Sequence, residues 1–190
     1  MKIAIYSGSF DPIHTGHAMV ANYAAQWGGV DEVWLMVSRR NPLKTDREPT
    51  DDDHRLAMAG IVAGKCKGVR VSDFEMHLPY PSYTYVTLCR LREEWPMHDF
   101  TLIIGSDNWI EFPRWRDYDK IIEEFGLLIY PRPGWEISGD LPSGVRVLEE
   151  GPTAFISSTF VRWAIAEGRD VDYFVPTEVA TYIKEHGLYR

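Results

Sequence analysis

Ile3-Ala4-Ile5-Tyr6-Ser7-Gly8-Ser9-Phe10-Asp11-Pro12-Ile13-His14-Thr15-Gly16-His17 is the stretch on which the fold turns. Its first four residues read as a buried strand. Gly8 breaks that run, and two histidines three apart follow where a helix should open. A strand end that meets a helix start is a natural phosphate site, because free N–H groups and the positive end of the helix dipole face it. Imidazoles at i and i+3 on an opening turn share one face, so His14 and His17 can reach the same phosphate. Gly8 permits a backbone path or a close approach that a side chain would block, and Gly16 opens the helix start to a ligand.

The pattern repeats outward from this turn. Helices are expected over 18–27 (stopped by Gly28 and Gly29), 51–63, 82–94 with Ser82 as cap, 120–124, 157–168 and 176–185. Strands are expected over 33–37, 69–74, 100–104, 126–130 and 145–148. Strands alternating with helices predict an α/β fold, a Rossmann-like parallel sheet with helices on both faces. One domain over 1–190 accommodates it, with a helical C-terminal part from about 157. Ligands of such sheets bind beyond the carboxyl ends of the strands. The polar segments 7–17, 38–44, 105–109, 131–134 and 155–162 are therefore expected to line one crevice.

Composition narrows the classes. A net charge of -8 and a pI near 5.2 argue against general duplex-DNA binding, which needs excess Lys and Arg. Cys66 and Cys89 form neither a CxxC nor a disulfide framework, which fits a reduced, cytoplasmic setting. No secretory leader and no apolar run of membrane-spanning length stand out, so no membrane association is expected. The two thiols and two histidines lack the spacing of a zinc site, so no protein-held metal is expected.

A second segment answers the first. Ile156-Ser157-Ser158-Thr159-Phe160-Val161-Arg162 puts three hydroxyls at a helix start and an arginine one turn later. Gly-x-Phe-Asp-Pro-x-His-x-Gly-His with Ile-Ser-Ser-Thr-x-x-Arg resembles the nucleotidyltransferase superfamily. Closer still is the likeness to bacterial nicotinate mononucleotide adenylyltransferases. The likeness runs nearly end to end, through Asn41-Pro42-Leu43-Lys44, Arg55, Ser82-Tyr83-Thr84, Gly105-Ser106-Asp107, Trp115, Arg132-Pro133-Gly134 and the stretch from Val175 to Tyr189.

The resemblance implies AMP transfer from ATP to nicotinate mononucleotide, giving deamido-NAD and pyrophosphate. It implies ATP contacts from Gly8, Ser9, Phe10, Lys44, Gly105, Asp107, Ser158, Thr159 and Arg162. His14 and His17 would be catalytic, with His17 at the α-phosphate. Thr84, Trp115 and Arg132 would bind the pyridine mononucleotide, and Mg²⁺ would accompany ATP. The family's usual Pro-Pro-His-Lys is Asn41-Pro42-Leu43-Lys44 here, so that imidazole's role is absent or passes to Arg39 or Arg40. Val86 replaces a commonly acidic residue, and Ser106 a commoner alanine. A nicotinamide mononucleotide adenylyltransferase, a phosphopantetheine adenylyltransferase and a nucleotide-binding sensor without turnover are the rival readings. A tRNA synthetase fragment would need a lysine-rich late loop that this acidic chain lacks.

Overall fold

A computed structural model describes residues 1–39 and 48–190. Six strands form one all-parallel sheet: β1 (Lys2–Gly8), β2 (Glu32–Val37), β3 (Val69–Ser72), β4 (Asp99–Gly105), β5 (Leu127–Tyr130) and β6 (Val145–Val147). Their order is β3-β2-β1-β4-β5-β6. The order reverses between β1 and β4, so the crevice of a doubly wound sheet lies between their carboxyl ends.

Seven helices cover the two faces: α1 (Thr15–Trp27), α2 (Asp52–Ala63), α3 (Thr84–Glu94), α4 (Ser106–Glu111), α5 (Tyr118–Phe125), α6 (Ser158–Ala166) and α7 (Thr177–Glu185). Alternate residues of β1 feed two cores. Ala4 and Tyr6 join Val20, Ala24, Met58, Val62, Val161 and Val179 from α1, α2, α6 and α7. Ile3 and Ile5 join Leu88, Leu91, Ile121 and Phe125 from α3 and α5. A strand buried on both faces must be apolar at nearly every position, and Ile3, Ala4, Ile5 and Tyr6 are.

Four element boundaries differ from the sequence expectation. The first helix begins at Thr15 rather than residue 18, because His14 serves as its cap. The third strand stops at Ser72, and residues Phe74–His77 turn into a short 3-10 helix. Ser82 does not cap α3; Tyr83 occupies that position without a side-chain bond, and the Ser82 hydroxyl goes to Glu75 instead. The segment after β4 was expected to be a turn, but it contains α4, whose first residue, Ser106, takes the Arg132 N–H on its hydroxyl.

Candidate active site

Phe10 shapes the β1–α1 turn. Its backbone is left-handed at φ 45°, and its ring is fully buried, edge-on to Tyr6 at 5.6 Å and to His17 at 5.1 Å. A Cβ at Gly8 would stand 3.1 Å from that ring. Gly8 thus makes room for Phe10, and its absent side chain serves the fold of the turn before any ligand.

The two histidines cap the helix reciprocally. His17 N–H donates to His14 Nδ1 at 3.3 Å, and His14 N–H donates to His17 Nδ1 at 3.2 Å. The rings stack with centroids 3.7 Å apart. A Cβ at Gly16 would lie 3.1 Å from the His14 ring, so the glycine admits the capping imidazole. Because each Nδ1 accepts, each ring is neutral at that atom and carries its hydrogen on Nε2. Thr15 N–H is also spent, on Phe174 O at 2.9 Å. The turn therefore offers a ligand its imidazole Nε2–H groups more than its backbone.

His14 is 3% exposed. Burial, then the positive charge of Arg132, pulls its pKa down to about 3. Burial pushes the Tyr6 phenol up to about 12, against the pull of the same guanidinium. Arg132 follows β5, and its Nε lies 3.2 Å from Asp107 Oδ1 after β4. Gly105 has no Cβ to collide with either partner of that pair. The Arg132 charge therefore stands over the switch point between β1 and β4, within electrostatic range of His14.

The hydroxyl-arginine segment is fastened to the histidine turn rather than standing apart from it. Ser157 caps α6, accepting from Phe160 N–H at 3.1 Å. Ser158 Oγ donates to Pro12 O at 2.9 Å, and Arg162 Nη1 donates to Asp11 O at 2.6 Å. Arg162 Nη2 reaches Thr159 Oγ1 at 3.2 Å. Asp11 itself is buried and takes Tyr189 Oη on Oδ1 at 2.8 Å and Thr50 N–H on Oδ2 at 3.3 Å.

Thr84 opens α3, whose first-turn N–H groups have no capping side chain. Trp115 packs on Phe112 with centroids 5.3 Å apart. Arg116 lies over the Tyr83 ring at 4.7 Å, so the α3 entry and the Trp115 segment are neighbours. Lys44 and Arg40 lie outside the described residues. Arg39 is described, and its carbonyl accepts from Arg55.

Arg55 is the least expected member. Its side chain is fully buried, on the same face of α2 as Met58, Ala59 and Val62. It donates to Ser9 O at 2.7 Å, Ser38 O at 2.6 Å, Thr50 O at 2.9 Å and Arg39 O at 3.1 Å, and it pairs with Asp52. One guanidinium thus joins the loop after β1, the loop after β2 and the start of α2. An arginine at an apolar helix position was the signal for it. Glu75, Asp11 and Tyr189 carried no comparable signal.

A model of the cytidylyltransferase-like family matches residues 5–164. The chain is 48% identical over 187 residues to a Bacteroides thetaiotaomicron protein named "Probable nicotinate-nucleotide adenylyltransferase", covering 98% of this chain and 92% of that one. A Flavobacterium johnsoniae protein of the same name is 38% identical over 192 residues, covering 100% of both chains. In fold, the chain resembles the Plasmodium falciparum nicotinic acid mononucleotide adenylyltransferase complexed with NaAD. The TM-score is 0.83 at 24% identity, covering 99% of this chain and 97% of that one.

Proposed function

The chain belongs to the cytidylyltransferase-like family, and from that premise we propose that it is a nicotinate-nucleotide adenylyltransferase. It moves AMP from ATP to nicotinate mononucleotide. The mononucleotide 5′-phosphate oxygen attacks the α-phosphorus of ATP in line; that O–P bond forms as the bond to the β,γ-bridging side breaks. Deamido-NAD and pyrophosphate leave. Such transfers need positioning and charge stabilisation, not a protein nucleophile.

One observation carries this reading: two stacked imidazoles, each accepting a backbone hydrogen on Nδ1, present Nε2–H donors at the switch point. Neutral donors fixed in place stabilise charge that grows on an α-phosphate oxygen without reorganising. His17 is assigned to that oxygen, and His14 to its neighbour. Ser158, Thr159, Arg162 and Lys44 hold the β and γ phosphates, with Gly8, Ser9 and Phe10 shaping the turn beneath. Gly105 and Asp107 hold the adenosine side, Asp107 through a ribose hydroxyl. Arg132 takes the mononucleotide phosphate. Thr84, the free N–H groups of α3 and Trp115 hold the pyridine ring. N–H donors without a paired acceptor suit a carboxylate better than an amide.

Magnesium arrives as part of the MgATP substrate. Among the described residues no group of three metal-ligating side chains occurs. The Asp11 oxygens already accept from Tyr189 and Thr50. The ion therefore rests on triphosphate oxygens and water, as Mg²⁺ commonly does. No helix among the described residues is long and apolar enough to cross a membrane, and we assign the enzyme to the cytoplasm, where its substrates are made.

The test is pyrophosphate release with MgATP and each mononucleotide. The nicotinate form should turn over fastest. Equal rates with the nicotinamide form would overturn the specificity, and ATP binding without turnover of either would overturn the reaction.

A further inference from the structure

Glu75 is a buried carboxylate with no part in the chemistry above. It sits in the 3-10 turn after β3 and is 8% exposed. Ser82 Oγ donates to its Oε1 at 2.8 Å, and Ser7 Oγ donates to its Oε2 at 3.3 Å. Ser7 lies one residue before the end of β1, beside Met36 of β2 in the sheet register. Ser82 lies two residues before α3. The two carboxylate oxygens therefore span from the central strand to the entry of a helix on the sheet face.

That entry has little else to hold it. Tyr80 is 55% exposed, and Tyr83 caps α3 without a side-chain bond. The first turn of α3 must nonetheless stand at a fixed distance from β1 if Thr84 and its neighbouring N–H groups are to meet a ligand bound at the switch point. A displacement of about 1 Å in such a group costs on the order of 10²-fold in rate. Burial raises the Glu75 pKa, while the two hydroxyls and the nearby Arg55 charge favour its ionised form. A buried charge is retained at a cost, and donors on both oxygens offset that cost.

We propose that Glu75 is a positioning residue for the pyridine mononucleotide: its carboxylate, shared between Ser7 and Ser82, sets where the first turn of α3 stands relative to β1. The assignment rests on the reading that this turn holds the pyridine ring. Its mark is a split in Michaelis constants, because the ATP contacts lie on the other side of the switch point.

Steady-state pyrophosphate release is measured for the wild type, Ser82→Ala, Glu75→Ala, their double variant and Glu75→Gln, with each substrate varied in turn. Ser82→Ala should raise KM for nicotinate mononucleotide by about 10-fold, the loss of one hydrogen bond to a charged acceptor. KM for ATP should stay within about twofold. The double variant should be no worse than Glu75→Ala, and Glu75→Gln should recover part of the loss, since an amide still offers one acceptor oxygen. Ser82→Ala removes one hydroxyl only, so it reports even if Glu75→Ala does not fold. A Ser82→Ala enzyme with an unchanged mononucleotide KM, or with both KM values raised alike, overturns the proposal while leaving the reaction intact. A wild type without turnover overturns the reaction, and this assignment with it.

Discussion

His14 and His17 hold each other: each backbone N–H donates to the other's Nδ1, at 3.2 and 3.3 Å, and the rings stack 3.7 Å apart. A histidine pair that is also a helix cap cannot be protonated at Nδ1 without losing the cap. The geometry that starts α1 is the same geometry that selects the Nε2–H tautomer. ¹⁵N chemical shifts of the two rings at pH 6 should therefore report Nε2–H for His14; an imidazolium pattern would contradict the cap.

Stability should follow the same proton. The folded His14 pKa is depressed to about 3, from an ordinary 6.5. Between those values the unfolded chain binds a proton that the folded chain refuses, so stability falls as pH falls through that window. The loss reaches about 2 kcal/mol by pH 5 and does not depend on the lower pKa being sharp. In His14→Asn the amide oxygen can still cap the helix without titrating. Denaturant melts at pH 7 and pH 5 should show a smaller pH difference in this variant than in the wild type.

Cap and catalysis separate at His17. Asparagine places an acceptor near the Nδ1 position, and glutamine places a donor near Nε2. His17→Asn should keep its melting temperature near the wild type and lose about 10²-fold or more in kcat. His17→Gln should be the less stable of the two and the more active. The reverse order in a paired stability and turnover measurement would remove His17 from the transition state.

Arg55 should behave as a structural hub. Removing the guanidinium in Arg55→Ala leaves four backbone carbonyls and Asp52 without their partner. Breaking a buried ion pair of this kind costs about 3–5 kcal/mol. Equilibrium unfolding in urea should show that loss, and KM for both substrates should rise together, in contrast to the split expected for Ser82→Ala.

Gly105→Ala tests the other glycine of the crevice. A methyl group there meets Asp107 Oδ1 and Arg132 Nε, and the Arg132 Cδ at 3.1 Å. The pair must separate, because its partners lie where the new atom would be. Activity should fall by at least about 10-fold while the melting temperature changes little, since both side chains are only half-buried. Unchanged kinetics would mean that the Asp107–Arg132 pairing is irrelevant to turnover.

Much of this architecture was legible in residue order. The β-strand at residues 3–6 and the helix stops at Gly28 and Gly64 are local signals, and local signals survive folding. What escaped was long-range. Ser82 reads as a cap because its neighbours are helical; Glu75, seven residues earlier, claims its hydroxyl only once β3 and α3 are packed. Gly8, Gly16 and Gly105 read as openings for a ligand, and in the fold each first makes room for a side chain of the crevice itself. The separated clamps of residues 14–17 and 158–162 proved to be bonded through Asp11 and Pro12, a contact across about 150 residues that no window of sequence displays.

Asp11 accepts from Tyr189, 178 residues further along. The turn that carries the histidines is among the first parts of the chain to be synthesised, yet its carboxylate lacks this partner until nearly all the rest has emerged from the ribosome. The nascent protein can assemble its sheet early and still lack a finished phosphate turn. Assembly of the site is thereby ordered in time, its opening segment waiting on Tyr189.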